Sequence, residues 1–140
     1  MFRANRQTDY AIRMILSLAK REVGSRASTS DIQREMAIPH SFAQRIIADL
    51  AKGAFIQTFP GRSGGVTLAR PANEINLRQL VEYFEDILFE ADCTHLEHDC
   101  PICVQWKRVQ RTMMNELERV NFEYLAKQSN HPKEFSHWTG

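Results

Sequence analysis

Ser30-Asp-Ile-Gln-Arg-Glu-Met-Ala-Ile-Pro-His-Ser-Phe-Ala-Gln-Arg-Ile-Ile-Ala-Asp-Leu-Ala-Lys-Gly53 decides the fold of this 140-residue chain. Ser30 is a helix-capping residue type, and Ile32 and Met36 recur one turn apart. The pattern predicts a short helix through Met36, with Ala37 also facing inward. Pro39 lacks an amide hydrogen and biases the residue before it toward extended backbone, so Ile38-Pro39-His40 reads as a tight connection. From about His40 to Lys52, Phe42, Ile46, Ile47 and Leu50 recur at helical spacing. Gly53 is placed to stop that helix in the left-handed conformation. Two short helices joined by a tight turn are the helix-turn-helix pattern.

Working outward, Ala54-Phe-Ile-Gln-Thr-Phe59 and Val66-Thr-Leu-Ala69 are β-prone runs flanking Pro60-Gly-Arg-Ser-Gly-Gly65, and they predict a hairpin. A helix-turn-helix followed by a hairpin is a winged helix. Upstream, Thr8–Lys20 reads as a helix capped by Thr8, with Asp9 in its first turn and Ile12, Ile15, Leu16 and Ala19 inward. Residues 22–30 form a polar loop. Downstream, Asn76 is placed to cap a helix to about Phe89, with Leu77, Leu80, Val81, Phe84 and Leu88 on one face. A long helix then runs from about Ile102 or Val104 to Ala126. Its apolar stripe, Trp106, Val109, Met113, Leu117, Val120 and Tyr124, steps by 3, 4, 4, 3 and 4 residues. That length exceeds what a small winged domain needs, and points to a partner helix in a homodimer. The expected architecture is therefore mainly α with a small β-hairpin wing: a winged helix-turn-helix DNA-binding unit over 1–75, a cysteine loop and dimerisation helices over 76–128, and a loose tail over 129–140.

The chain is 43% hydrophobic and 25% charged, ordinary for a soluble globular protein. No run approaches the roughly 20 apolar residues of a membrane span. The first six residues, Met1-Phe-Arg-Ala-Asn-Arg6, lack the apolar core of a signal peptide, so a cytoplasmic protein is expected. The net charge of +1 conceals an asymmetry: residues 1–70 carry 11 Lys/Arg against 5 Asp/Glu, and residues 71–140 carry 7 against 12. A basic half suits phosphate binding, where released counterions drive affinity.

The three cysteines, Cys93, Cys100 and Cys103, all fall within eleven residues. Clustering with His95 and His98 between them is a metal-ligand pattern, and in a reducing compartment it favours metal over disulfide. Residues 82–99 add Glu82, Glu85, Asp86, Glu90, Asp92, Glu97 and Asp99 and contain no Lys or Arg. That field would keep free thiols protonated, whereas a bound metal centre reverses the effect. Cys100-Pro-Ile-Cys103 has the spacing of a zinc knuckle, so spacing alone leaves iron and zinc both open. No nucleophile–base constellation is evident, and the Gly-rich segment lies in a hairpin instead of between a strand and a helix, so an enzyme is not expected.

Thr8-Asp-Tyr-Ala-Ile-Arg13, Leu50-Ala-Lys-Gly-Ala-Phe-Ile56, Gly61-Arg-Ser-Gly-Gly-Val-Thr-Leu-Ala-Arg-Pro71 and Glu74-Ile-Asn-Leu-Arg-Gln-Leu-Val81 together resemble the winged-helix bacterial regulators typified by IscR, NsrR and RirA. The similarity runs over about residues 1–128. It implies a homodimeric transcription regulator in which three cysteines hold an iron–sulfur cluster, 4Fe–4S favoured over 2Fe–2S, whose state changes operator affinity. In NsrR-like members an Asp near the start of the first helix, from the other subunit, is the fourth ligand; Asp9 matches it. His95, His98 and Glu85 are further candidates. In IscR-like members a His three residues after the third Cys ligates instead; Trp106 stands there and cannot. The gap of two residues between Cys100 and Cys103 departs from the family's usual gap of about five.

For DNA, the helix from His40 would enter the major groove and show His40, Ser41, Gln44 and Arg45 to base edges, with Gln44 suited to adenine and Arg45 to guanine. Arg62 on the wing would reach a minor groove or phosphate, and Arg3, Arg6, Thr8 and Tyr10 the backbone near the first helix. The expected partners are double-stranded operator DNA, a second copy of the chain and a small-molecule signal acting at the cluster, with no membrane. A zinc-stabilised or cluster-free regulator of the same fold is the alternative.

Overall fold

Aliphatic side chains meet where three helices cross: Met14 and Ile15 from α1 (Arg6–Ala19), Ile32 from α2 (Thr29–Met36), and Ile46 and Leu50 from α3 (His40–Lys52), all completely buried. The structure, a computed structural model, describes residues 4–85 and 100–129. The helix-turn-helix, α2 and α3 with Ala37–Pro39 between them, lies against α1. Glu35 of α2 fastens the end of α1 by accepting hydrogen bonds from Ser17 Oγ at 2.9 Å, Lys20 Nζ at 3.3 Å and Arg21 Nη2 at 3.0 Å.

The helix limits differ from the sequence expectation at their caps. Asn5, not Thr8, caps α1, its side chain accepting from the Thr8 amide at 2.8 Å. Ser28, not Ser30, caps α2 and accepts from the Asp31 amide at 3.1 Å. The Ser28 hydroxyl, together with Arg34, holds the Asp31 carboxyl below its ordinary range. Ala37 does not face inward. It is exposed, in the left-handed conformation at φ 53°, and Ile38 takes the buried place. Helix α3 spans the residues expected of it, but Gly53 is not its left-handed stop: Gly53 has φ −79° and Ala54 has φ 62°. Glycine at 53 answers a close approach instead, because a Cβ there would lie 2.9 Å from the Phe55 ring and 3.1 Å from the Tyr83 ring.

The wing is an antiparallel pair, β1 (Ile56–Phe59) and β2 (Gly65–Leu68), in the register Ile56↔Leu68 to Phe59↔Gly65. Ala27 adds a bridge on the other edge of β2, exchanging backbone hydrogen bonds with Val66 at 2.9 and 2.8 Å. A 3-10 turn (Ala72–Glu74) leads to α4 (Leu77–Phe84), which starts in a capping box between Asn76 and Gln79. Helix α4 ends at Phe84 with Glu85 extended, short of the expected limit near Phe89. Leu88, Phe89, the acidic run beyond Glu85 and the tail from residue 130 lie outside the described residues.

The single long helix expected to Ala126 is two helices, α5 (Pro101–Glu118) and α6 (Phe122–Gln128). The break is built by competition for backbone groups. Val120 O accepts from Leu77 N at 3.0 Å, Phe122 N donates to Ile75 O at 3.0 Å, and the Asn121 side chain caps α6 by accepting from Tyr124 N at 2.8 Å. Phe122 is thereby driven into the winged-helix core, completely buried. Both α4 and α6 pack on α1, and Arg78 of α4 ties α5 down by pairing with Glu118 at 2.8 Å. Truncating a fully buried aromatic removes its burial and leaves a cavity, so Phe122→Ala should cost about 3–5 kcal/mol in denaturant unfolding.

Candidate nucleic-acid interface and cysteine site

Helix α3 buries Ala43, Ile46, Ile47 and Leu50 and leaves His40, Ser41, Gln44 and Arg45 exposed. Its first turn carries no acidic residue, and its N-cap, Pro39, makes no side-chain cap bond. The positive end of the helix dipole therefore faces outward uncompensated, beside the exposed polar side chains. No ion pair joins Arg45 to Asp49 among the described residues, so the guanidinium is left for an external acceptor. His40 Nδ1 lies 3.4 Å from Gln33 Nε2 of α2. Arg62 is exposed at the tip of the wing, and a groove of about 550 Å³ runs between α3 and the wing, lined by Gln44, Ile47, Thr58, Arg62 and the start of α2 at Ser28 and Thr29.

Around α1 the expected contacts separate. Arg6 is exposed. Tyr10 is half-buried, its ring packed on Phe42 of α3 with centroids 5.1 Å apart. Thr8 is a correction: it is completely buried, with its hydroxyl donated to Asn5 Oδ1 at 2.9 Å, so it has no face to offer DNA. Arg3 lies outside the described residues. Asp9 pairs with Arg13 at 2.8 Å, and Arg13 also donates to Met36 O at 3.3 Å, which connects Asp9 to the last turn of α2.

The cysteine site begins at α5. Cys100 is its half-buried N-cap, Pro101 opens the first turn, and Cys103 lies buried in that turn, which carries no acidic residue. Two sulfur ligands two residues apart at a helix start suit a metal such as iron or zinc. Cys100 is a free thiol, and ligation needs both cysteines as thiolates. Cys93, His95 and His98 lie outside the described residues, and among the described residues no group of three His, Cys, Asp or Glu is gathered as a metal site. Glu85 is engaged at α1: it accepts from the Asn5 amide, while Asn5 Nδ2 donates to Phe84 O at 3.1 Å. The entry to the cysteine segment is thus fastened to the cap of α1. Sequence reasoning missed Asn5, although its type, directly before the first helical residue, is a strong cap signal. Along α5, Ile102, Trp106 and Val109 form an outward apolar row, 62%, 41% and 49% exposed.

Residues 4–128 match the family described as "Rrf2: Iron-dependent Transcriptional regulator". The chain belongs to the Rrf2 family. Its members are transcriptional regulators, not enzymes. The chain is 36% identical over 102 residues to protein aau3 of Rhizobium meliloti, covering 71% of this chain and 65% of that one, just under two thirds of aau3. It is 30% identical over 124 residues to the HTH-type transcriptional regulator NsrR of Halalkalibacterium halodurans, covering 86% and 84% of the two chains. Among solved structures, CymR of B. subtilis, described as its global cysteine regulator, superposes with a TM-score of 0.78 at 18% identity over 91% of this chain and 98% of that one. IscR of T. potens does so at 0.76 and 18% over 91% and 88%. These likenesses show the winged-helix fold.

Asn5 caps α1 and clasps the end of α4 at once. Asn5→Ala should therefore lower stability by about 0.5–2 kcal/mol, measured as a shift of the denaturant midpoint at unchanged slope.

Proposed function

We propose that this Rrf2 regulator is a cytoplasmic homodimer that binds operator DNA through α3 and the wing, with affinity set by an iron–sulfur cluster on Cys93, Cys100 and Cys103. The carrying observation is the exposed row His40, Ser41, Gln44 and Arg45 at the uncapped end of α3, beside Arg62 across the groove. His40, Ser41, Gln44 and Arg45 face base edges, Gln44 suited to adenine and Arg45 to guanine; Arg62 reaches a minor groove or phosphate, and Arg6 and Tyr10 the backbone near α1. Among the described residues no helix is long and apolar enough to cross a membrane. The outward row on α5 is the face on which a second copy packs, and a two-fold dimer reads half-sites about one helical turn apart.

Cys100 and Cys103 at the positive end of α5 supply two thiolates, and Cys93 the third. When bound, a 4Fe–4S cluster supplies a thiolate-held centre sensitive to nitric oxide, oxygen, iron supply or redox state. The partner's Asp9 is the fourth-ligand candidate, as in the NsrR-like pattern. Within one chain Asp9 pairs with Arg13, and Arg13 holds the end of α2. Drawing Asp9 across to another subunit would release Arg13 and alter its grip on the helix-turn-helix. One observation favours a second reading: Cys100-x-x-Cys103 at a helix start is also the arrangement of a zinc knuckle.

Protein purified without oxygen should absorb visible light and give a native mass of a dimer carrying iron and sulfide. A colourless dimer with zinc would establish the second reading, and a metal-free dimer with unaltered DNA binding a cluster-free one. Replacing Cys93, Cys100 and Cys103 together with Ser should abolish the colour and change operator affinity. Arg45→Ala should cost about 1–3 kcal/mol of discrimination at one base pair, measured by competition between duplexes differing there.

A further inference from the structure

The loop before α2 does more than connect helices. Ala27 bridges Val66, which places Arg26 against the hairpin. The Arg26 guanidinium lies 3.8 Å from the centroid of the Phe59 ring, and its Nη1 donates to Ser63 O at 3.3 Å. Phe59 ends β1, and Ser63 stands in the turn that follows it. One exposed side chain therefore touches both the last residue of β1 and the turn that follows it. Neither contact involves a carboxylate. The inner side of the same turn has no slack: a Cβ on Gly64 would lie 2.1 Å from Phe59 O, and one on Gly65 2.7 Å from Ala27 O. The turn is packed from within by backbone and clasped from outside by Arg26, directly beside Arg62.

We infer that Arg26 is a positioning residue for DNA binding: stacked on Phe59 and bonded to Ser63, it fixes the wing tip and so sets where Arg62 meets the duplex. It acts through planar stacking and a directed hydrogen bond, not through its own charge on a phosphate. Lysine keeps the charge but has neither the flat face nor the fork of donors, so it should not substitute.

The inference rests on the operator-binding reading above. The test uses the full-length protein and a duplex that it selects from a random-sequence pool. Arg26→Lys and Phe59→Leu should each weaken binding by about three- to tenfold, the loss of roughly one such contact. The double variant should be no weaker than the worse single one, because both remove the same clasp. Against an Arg62→Ala background, Arg26→Lys should add nothing. The salt dependence should shift alike in Arg26→Lys and Phe59→Leu, since both act through the placement of Arg62. Without DNA, the Gly64 amide, which donates to Gly61 O at 3.0 Å, should exchange with solvent faster in both single variants.

Parent-like affinity of Arg26→Lys would overturn the inference. So would a salt slope lowered by about 0.9 in Arg26→Ala with Phe59→Leu unaffected, the mark of a direct phosphate contact. Unchanged Gly64 exchange would also sink it. If the parent protein selects no duplex while Gly64 exchange does rise, the operator-binding reading fails and the clasp itself stands.

Discussion

Phe122 has nowhere to go but the space between α1 and the turn after the wing. Two backbone hydrogen bonds, from Leu77 to Val120 and from Phe122 to Ile75, deliver it there, and Asn121 restarts the helix behind it. This closure joins the C-terminal helices to the winged-helix unit. Without it, α6 would lose its hold on α1, and α5 would keep mainly its contact with α4 and the Arg78–Glu118 pair. With it, α5 is anchored at one end while the other end carries two cysteines. The row Ile102, Trp106 and Val109 faces away from the core for the same reason: the anchored end fixes the rotation of the helix, and Cys103 and Met114 take the inner side.

A second chain of contacts runs through α1. Its cap, Asn5, holds Phe84 and Glu85 at the entrance to the cysteine segment. One turn further on, Asp9 pairs with Arg13, and Arg13 reaches the carbonyl of Met36, where α2 gives way to the turn before α3. Tyr10 lies on Phe42 of α3. A single helix thus touches the approach to the cysteines on one side and α3 on the other. Few residues separate a change at the cysteines from a change in how α3 is held.

Much of this was legible in the sequence. The limits of α3 followed from Pro39 and the spacing of Ile46, Ile47 and Leu50, because a proline and a period of 3.6 are local signals. The wing followed from its glycines. The caps were misplaced by two or three residues because Ser28 and Ser30, and Asn5 and Thr8, are all competent capping types; tertiary contacts chose between them. The break in the last helix was invisible to periodicity, since the apolar stripe continues through Val120. What ends α5 is a pair of backbone partners far back in the sequence, Leu77 and Ile75, 43 and 47 residues from Val120 and Phe122, and no local pattern encodes them. Of the candidate site, the exposed face of α3 was read correctly from its helical phase. Thr8 was not, because a threonine at a helix start looks the same whether it faces solvent or a neighbour. Arg26 gave no signal at all: a hairpin pattern says nothing about what lies across its edge.

The bridge between Ala27 and Val66 redraws the wing as a unit of recombination. A graft of residues 54–69 from one relative onto another carries both strands and the tip but leaves behind the Ala27 segment that bridges the sheet's open edge. Gly65, the first residue of β2, is fitted to the carbonyl of Ala27 in that third segment. Wings exchanged between family members should travel with the loop before α2, two pieces of sequence nearly 30 residues apart that inherit as one.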